Sequence, residues 1–398
     1  MKKPRLLLLI GSLTTSLLLT MAFAAHAQDL ALPEVLKSNE GEVISTPDAW
    51  SKNRRAEVLR LFEDHVYGQV PKDFESIRFK TIGQDKMAMN GKAIRKEVAI
   101  DVNRKGQSVT INLVLFIPAD VDGPAPLFLL INHRGKENTD PTRNFRMEFW
   151  PAEEVIARGY AVAAFHVSEV APDNKKIYNT ELLRLYPEQT QQGNGMKAIG
   201  AWGWGASRVM DYLVQDADID ARKVAVVGHS RGGKAALWCG AQDERFAIAI
   251  SNNSGCTGAA LARRKMGERV ADINKGFPYW FCDNYNKYNN NEDSLPVDQH
   301  MLLALMAPRA VYVASASQDA WADPKGEFLS IKYAEPVFKL FNIAPLPAKE
   351  QPGINSPVKS LHLGYHLRDG GHGLFLYDWQ RYMDFADAYY NSKRVSKK

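Results

Sequence analysis

Cysteine is scarce: three residues, Cys239, Cys256 and Cys282, in a chain of 398. A framework of several disulfides is therefore excluded. At most one bridge forms and one thiol is left over, with Cys256–Cys282 the pair to consider. Metal-ligand spacing is also missing: there is no HExxH, no CxxC and no close His/Asp cluster, so the expectation is chemistry without a metal or other cofactor. No internal repeat or low-complexity tract occurs. Acidic residues are absent from residues 1–27, where Lys2, Lys3 and Arg5 precede an apolar stretch that ends in Ala25-His26-Ala27. That order of basic, apolar and small residues is a secretory leader, cut before Gln28. Gly11, Ser12, Thr14, Thr15 and Ser16 interrupt the apolar stretch, which suits a removable peptide better than a permanent span. No second long apolar run follows, so an exported product, periplasmic or secreted, is expected, without membrane attachment.

The formal charge is +5, and the three leader cations supply most of it, so the remaining chain stands at +2. A basic balance thus gives no argument for nucleic acid or membrane binding. The composition, 45% hydrophobic and 24% charged, is that of a folded chain able to bury a large core. No protein partner is implied, and a monomer is the working expectation.

The pattern reads as a single α/β domain over 28–398. Residues 28–51 are loop-like and a helix is expected over 54–67. Two alternating runs, 95–102 and 108–117, form an antiparallel hairpin. Then five short runs, 126–132, 160–166, 223–228, 246–251 and 310–316, are apolar on both faces, as strands of a covered parallel sheet are. Helical patterns separate them, over 152–158, 196–214, 234–242, 299–306 and 327–341. In the second, Ile199, Trp202, Ala206, Val209 and Leu213 share one face. Trp379, Met383, Ala386 and Tyr390 do so in a last helix. A mostly parallel, doubly wound sheet with helices on both faces follows. Two stretches break the alternation, 252–296 and 342–360, and are candidate insertions that shape a pocket.

The strongest chemical signal is Gly228-His229-Ser230-Arg231-Gly232. It matches G-x-S-x-G, with a strand (KVAVV) entering and a helix (KAALWCGAQ) leaving, the context of the nucleophile elbow of an α/β-hydrolase. Glycines are required because bulk beside so tight a turn meets neighbouring backbone. Ser230 is the candidate nucleophile, and the amide of Arg231 faces the developing oxyanion. The base and acid follow in the order Ser, Asp/Glu, His. His372, after the flexible Asp369-Gly370-Gly371, is the candidate base, with His366 the rival from a strand that also carries His362. Asp319, just past the strand 310–316, is the candidate acid, with Asp323 and Glu327 as rivals; Asp323 also suits a cap before Pro324. Lys234 lies one helical turn from Ser230, on its face. The Arg231 side chain is a second oxyanion candidate, and Trp321 an aromatic platform at the pocket rim.

At these residues the chain resembles the glucuronoyl esterases of carbohydrate esterase family 15, the bacterial members above all. The likeness runs from about Asn132 to Tyr390. It is carried by GHSRGGKAALWCGAQDERFAIAISNNSGCTGAAL, FPYWFCDNY, LPVDQHMLLALMAPRAVYVASASQDAWADPKGEF and RDGGHG; an arginine directly after the nucleophile and a lysine four residues on are not general to α/β-hydrolases. The resemblance implies cleavage of the ester between 4-O-methyl-glucuronic acid branches of xylan and lignin alcohols. Its substrate is then a glucuronoxylan or lignin–carbohydrate ester. On that pattern Ser230 is nucleophile, His372 base and Arg231 the oxyanion residue, while Lys234, Glu268 and Trp321 bind uronate hydroxyls. Glu268 carries no signal of its own. Two departures from the fungal pattern stand out. The fungal acid is replaced near Asn253, moving the acid to Asp319, and His229 and Gly373 stand where the fungal members carry a cysteine pair.

Overall fold

Ten strands form one mixed sheet in the order β1-β2-β3-β5-β4-β6-β7-β8-β10-β9. They are β1 (Ser76–Ala88), β2 (Ala93–Arg104), β3 (Gln107–Pro118), β4 (Ala125–Asn132), β5 (Ala161–His166), β6 (Ile219–His229), β7 (Ile248–Asn252), β8 (Ala310–Ala316), β9 (Val358–Lys359) and β10 (Leu363–Arg368). The computed structural model describes residues 30–395, and from Ala31 onward they belong to one unit. The leader expected over 1–27 lies outside the described residues. β1, β2 and β3 run antiparallel, and β3 joins β5 antiparallel. From β5 through β4, β6, β7, β8 and β10 all neighbours are parallel.

The central strands are buried on both faces, which accounts for their unbroken apolar sequence. In β6, Val224 and Val226 join one core while Ala225 and Val227 join the other. The first core is covered by helices Ala198–Leu213, Arg231–Gln242, Gln299–Ala304 and Pro324–Leu340. The second is covered by Ala152–Ala157 and the final helix Leu376–Val395, through Trp379, Met383, Ala386 and Tyr390. This is the doubly wound, mostly parallel sheet that the strand–helix alternation implies. Among the described residues no helix is long and apolar enough to cross a membrane.

The expected hairpin is present as β2 and β3, and the shared face of helix Ala198–Leu213 is buried; four observations extend or correct the sequence reading. The hairpin is part of a three-stranded meander, because β1 precedes it; that strand is the sheet's exposed edge, rich in charge, and has little burial to impose a pattern. The first helical stretch begins at Pro47, with Thr46 Oγ1 accepting from the amide of Ala49, and not at residue 54. Helix Ala198–Leu213 buries more than one face: Gly200, Ala201, Gly203, Trp204 and Gly205 are buried as well. Finally, Cys239, Cys256 and Cys282 are all free and buried, so Cys256 and Cys282 do not pair.

Candidate active site

β6 ends at His229 and a helix starts at Arg231, leaving Ser230 alone at the bend with φ 54° and ψ −128°. A non-glycine residue holds such a backbone only where its surroundings enforce it. Here the Ser230 amide donates to Asn252 O at 2.8 Å, and Ser230 O accepts from the Gly233 amide at 2.8 Å. A Cβ on Gly228 would sit 1.9 Å from Gly232 O, and one on Gly232 would sit 3.0 Å from His133 Nδ1. Close approach thus demands the glycine at 228 and leaves little room for a side chain at 232. Arg231 opens the helix, so its amide has no intrahelical acceptor and is available to an oxyanion.

The sheet edge brings the other members to Ser230. Ser230, Asp319 and His372 line one pocket of about 310 Å³, together with Arg231, Lys234, Glu268 and Trp321. His372 Nδ1 stands 2.6 Å from Asp319 Oδ2, which leaves Nε2 for the serine. Its ring also packs on that of His229, with centroids 4.4 Å apart. His229 is itself fixed: Nδ1 bonds Asn252 Oδ1 at 2.6 Å, and Nε2 meets the Arg134 guanidinium at 3.2 Å. Arginine only donates, so Nε2 accepts and the ring is neutral. Burial, with His372 and His133 adding to it, pushes its pKa well down.

Burial alone would raise the Asp319 carboxyl, but the hydrogen bond and charge of His372 and the amide of Asn253 outweigh it and hold the group below its ordinary value. Asn253 Nδ2 donates to Asp319 Oδ2 at 3.1 Å. Asn253 therefore braces Asp319, the candidate acid. The rivals are engaged elsewhere. Asp323 caps helix Pro324–Leu340 by accepting from the Gly326 amide, and pairs with Arg264 at 2.7 Å. Glu327 is wholly buried and accepts from the amides of Ser254 and Gly255 and from Ser315 Oγ. His366 is buried against Asp378 at 2.8 Å.

Lys234 is not a solvated lysine. Its side chain is only 3% exposed, and its ammonium donates to Glu268 Oε2 at 2.7 Å and to Cys256 O. The Glu268 amide in turn donates to Trp321 O at 2.8 Å, so the three residues form one wall. Trp321 is 57% exposed, a free aromatic face at the rim.

The surroundings of Arg231 include residues the sequence did not announce. Arg231 Nη1 donates to Asp173 Oδ2 at 2.6 Å, and Asp173 Oδ1 accepts from Tyr279 OH and Trp280 Nε1, both at 2.8 Å. The guanidinium lies over the Trp280 ring at 4.5 Å and the Phe277 ring at 5.0 Å. Asp173 follows a strand in an irregular loop and has no motif around it. Only the crowding of aromatics in 277–285 hinted at these surroundings. Asn253, Ser254, Gly255, Glu268, Phe277 and Trp280 all come from the stretch 252–296, whereas 342–360 contributes none of the lining residues. Each cation in the pocket is matched by an acid, which suits a neutral ester that becomes an anionic product.

Comparisons with known proteins bear on the family and the fold. The family model described as glucuronyl esterase, fungi, matches residues 100–342. A carbohydrate esterase from an unknown prokaryotic organism is 41% identical over 396 residues, covering 91% of this chain and 90% of its own. A solved glucuronoyl esterase from Solibacter usitatus superposes with a TM-score of 0.86 at 38% identity, over 92% of this chain and all of that one. A promiscuous esterase of carbohydrate esterase family 15 from a marine bacterial metagenome gives 0.84 at 38% identity, over 92% and 98%. By sequence, by fold and by the extent of both, this chain belongs to the glucuronoyl esterases of carbohydrate esterase family 15, which are carboxylic ester hydrolases.

Proposed function

We propose that the protein hydrolyses esters of glucuronic acid, including the 4-O-methyl form, as they occur between xylan branches and lignin alcohols. Ser230 Oγ attacks the ester carbonyl while its proton passes to His372 Nε2. Asp319 holds the imidazole in the tautomer that accepts at Nε2 and steadies the imidazolium that forms. The Arg231 amide and guanidinium stabilise the oxyanion. Collapse breaks the ester bond, and the alcohol leaves with the proton from His372. The acyl group stays on Ser230 until water, deprotonated by His372, releases the carboxylate.

The observation that carries this reading is one pocket holding the Asp319–His372 pair beside Ser230, with Lys234, Glu268 and Trp321 on its wall. Such a wall suits a uronate: Trp321 offers a face for the ring, and the Lys234–Glu268 pair offers donors and acceptors to hydroxyls. Export is proposed from the basic, apolar and small-residue order of residues 1–27.

A second reading, a broader esterase that also takes acetyl esters, is favoured by the promiscuity of the marine metagenome relative. Initial rates on benzyl glucuronate and on 4-nitrophenyl acetate separate the two. The uronate reading expects the higher kcat/KM on the glucuronate; a clearly higher value on the acetate reverses the order.

A further inference from the structure

The segment that carries the base is built to be loose. Residues 369–373 read Asp-Gly-Gly-His-Gly, Gly370 takes φ +97°, and a Cβ on Gly371 would meet nothing within 4 Å. Three glycines in five residues give the chain wide conformational freedom, and a base displaced by 1 Å can lose ~10²-fold in rate. Some device must hold this segment still.

Asp369 and Gly370 are tied by Asn355, Ser317 and the Gln318 amide, and the two peptides that flank His372 are held by a single guanidinium. Arg368 closes β10, and its own carbonyl accepts from the Ser317 amide at 2.8 Å, beside the acid loop. Its Nη1 donates to Asp369 O, and its Nη2 to Gly371 O at 2.9 Å and to Gly373 O at 3.3 Å. Those carbonyls bracket His372 on both sides. Nε donates to Asp378 at 3.2 and 3.3 Å. Asp378 is wholly buried in the first turn of the final helix, and it also accepts from His366 Nε2 at 2.8 Å and from the Phe375 amide at 2.9 Å. His366 Nδ1 accepts in turn from Tyr312 OH at 3.0 Å. The Phe375 ring covers the guanidinium at 4.6 Å.

We propose that Arg368, anchored on Asp378, is a positioning residue that fixes the backbone on either side of His372 and so holds the base in register with Ser230. A buried ion pair is weak evidence for stability, because desolvation offsets most of the attraction. What this pair does provide is a planar fork that reaches three carbonyls at once. Lysine keeps the charge and loses the fork. The inference rests on the proposed role of His372 as base.

The test is Arg368→Lys, assayed on benzyl glucuronate well below its melting temperature. The expected result is a kcat lower by at least tenfold with KM within about twofold. The far-downfield proton signal of the His372–Asp319 hydrogen bond should broaden or vanish as well. Retention of kcat within twofold by the folded variant overturns the proposal, and so does a rise in KM at unchanged kcat. Phe375→Ala covers the case in which Arg368→Lys does not fold. That ring is 41% exposed, so the fold tolerates its loss, and stripping it from the guanidinium should lower kcat severalfold at constant KM. An unchanged kcat there also counts against the proposal. His372→Ala separates the two layers: if it is inactive while Arg368→Lys is unimpaired, only the positioning role fails; if it is active, the base assignment itself fails.

Discussion

Asp319 Oδ2 stands 2.6 Å from His372 Nδ1, while Glu327 spends both its oxygens on Ser254, Gly255 and Ser315. Two carboxyls on one connection thus have separate partners, one the candidate base and one the backbone that lines the pocket. Asp319→Asn is expected to lower kcat by ~10⁴-fold, the scale seen where the orienting acid of a triad becomes an amide. Glu327→Gln should keep most of the activity and lose thermal stability. Steady-state kinetics with thermal melts of both variants checks this; collapse in Glu327→Gln with survival of Asp319→Asn reverses the assignment.

The same glutamate gives the protein a pH signature. Burial lifts the Glu327 carboxyl to about 8, against the pull of Ser315 and the amides of Gly255 and Ser254. The folded chain then binds a proton that the unfolded chain releases near pH 4.5, so this contribution to stability is complete in acid and is lost as pH rises towards 8. Denaturant melts from pH 4 to 9 should show that fall in the wild type and a flatter profile in Glu327→Gln. Parallel profiles for the two proteins would contradict it.

Lys234, buried, and Glu268, partly buried, form an ion pair in the wall of the pocket. Removing one partner leaves a charge unpaired, at a cost of roughly 3–5 kcal/mol, whereas replacing both with apolar groups can be close to neutral. Lys234→Met and Glu268→Leu are each expected to destabilise the fold, and the double variant to recover much of that loss. The double variant should still turn over 4-nitrophenyl acetate while its kcat/KM on benzyl glucuronate falls by at least tenfold. An equal fall on both substrates would remove the pair from uronate recognition.

All three thiols are buried, and burial pushes them up, to about 12 for Cys256 and about 11 for Cys282. Thiolate is the reactive form, so a native sample should react negligibly with an aromatic disulfide reagent and keep full activity. After unfolding in guanidinium chloride, three thiols should titrate per chain. A count of one would mean that two are bridged.

How much of this was legible in the sequence follows from what each signal depends on. The elbow at Ser230 is local: two glycines, a strand before and a helix after suffice to specify it. The order Ser230, Asp319, His372 follows from where the strands end, since loops at one end of a parallel sheet converge. The apolar central strands were equally plain, because burial on both faces leaves no alternation to misread. β1 was missed because an exposed edge strand is under weak pressure to look like one. Asp173 and Arg368 were invisible for another reason. Their partners, Arg231 and Trp280 in one case and the carbonyls of Gly371 and Gly373 in the other, are set by tertiary packing rather than by spacing. Whether Cys256 and Cys282 pair was left open by the sequence, because spacing does not give distance in space; all three cysteines are free.

The central claim is that Ser230 and His372 act as one nucleophilic unit on a glucuronoyl ester. It is tested most directly by measuring the release of acid from benzyl glucuronate with the wild type, Ser230→Ala and His372→Ala, all shown to be folded. Loss of kcat on the scale of ~10⁶-fold in each single variant, with no further loss in the double, is the expected result. Turnover by Ser230→Ala within tenfold of the wild type would contradict it.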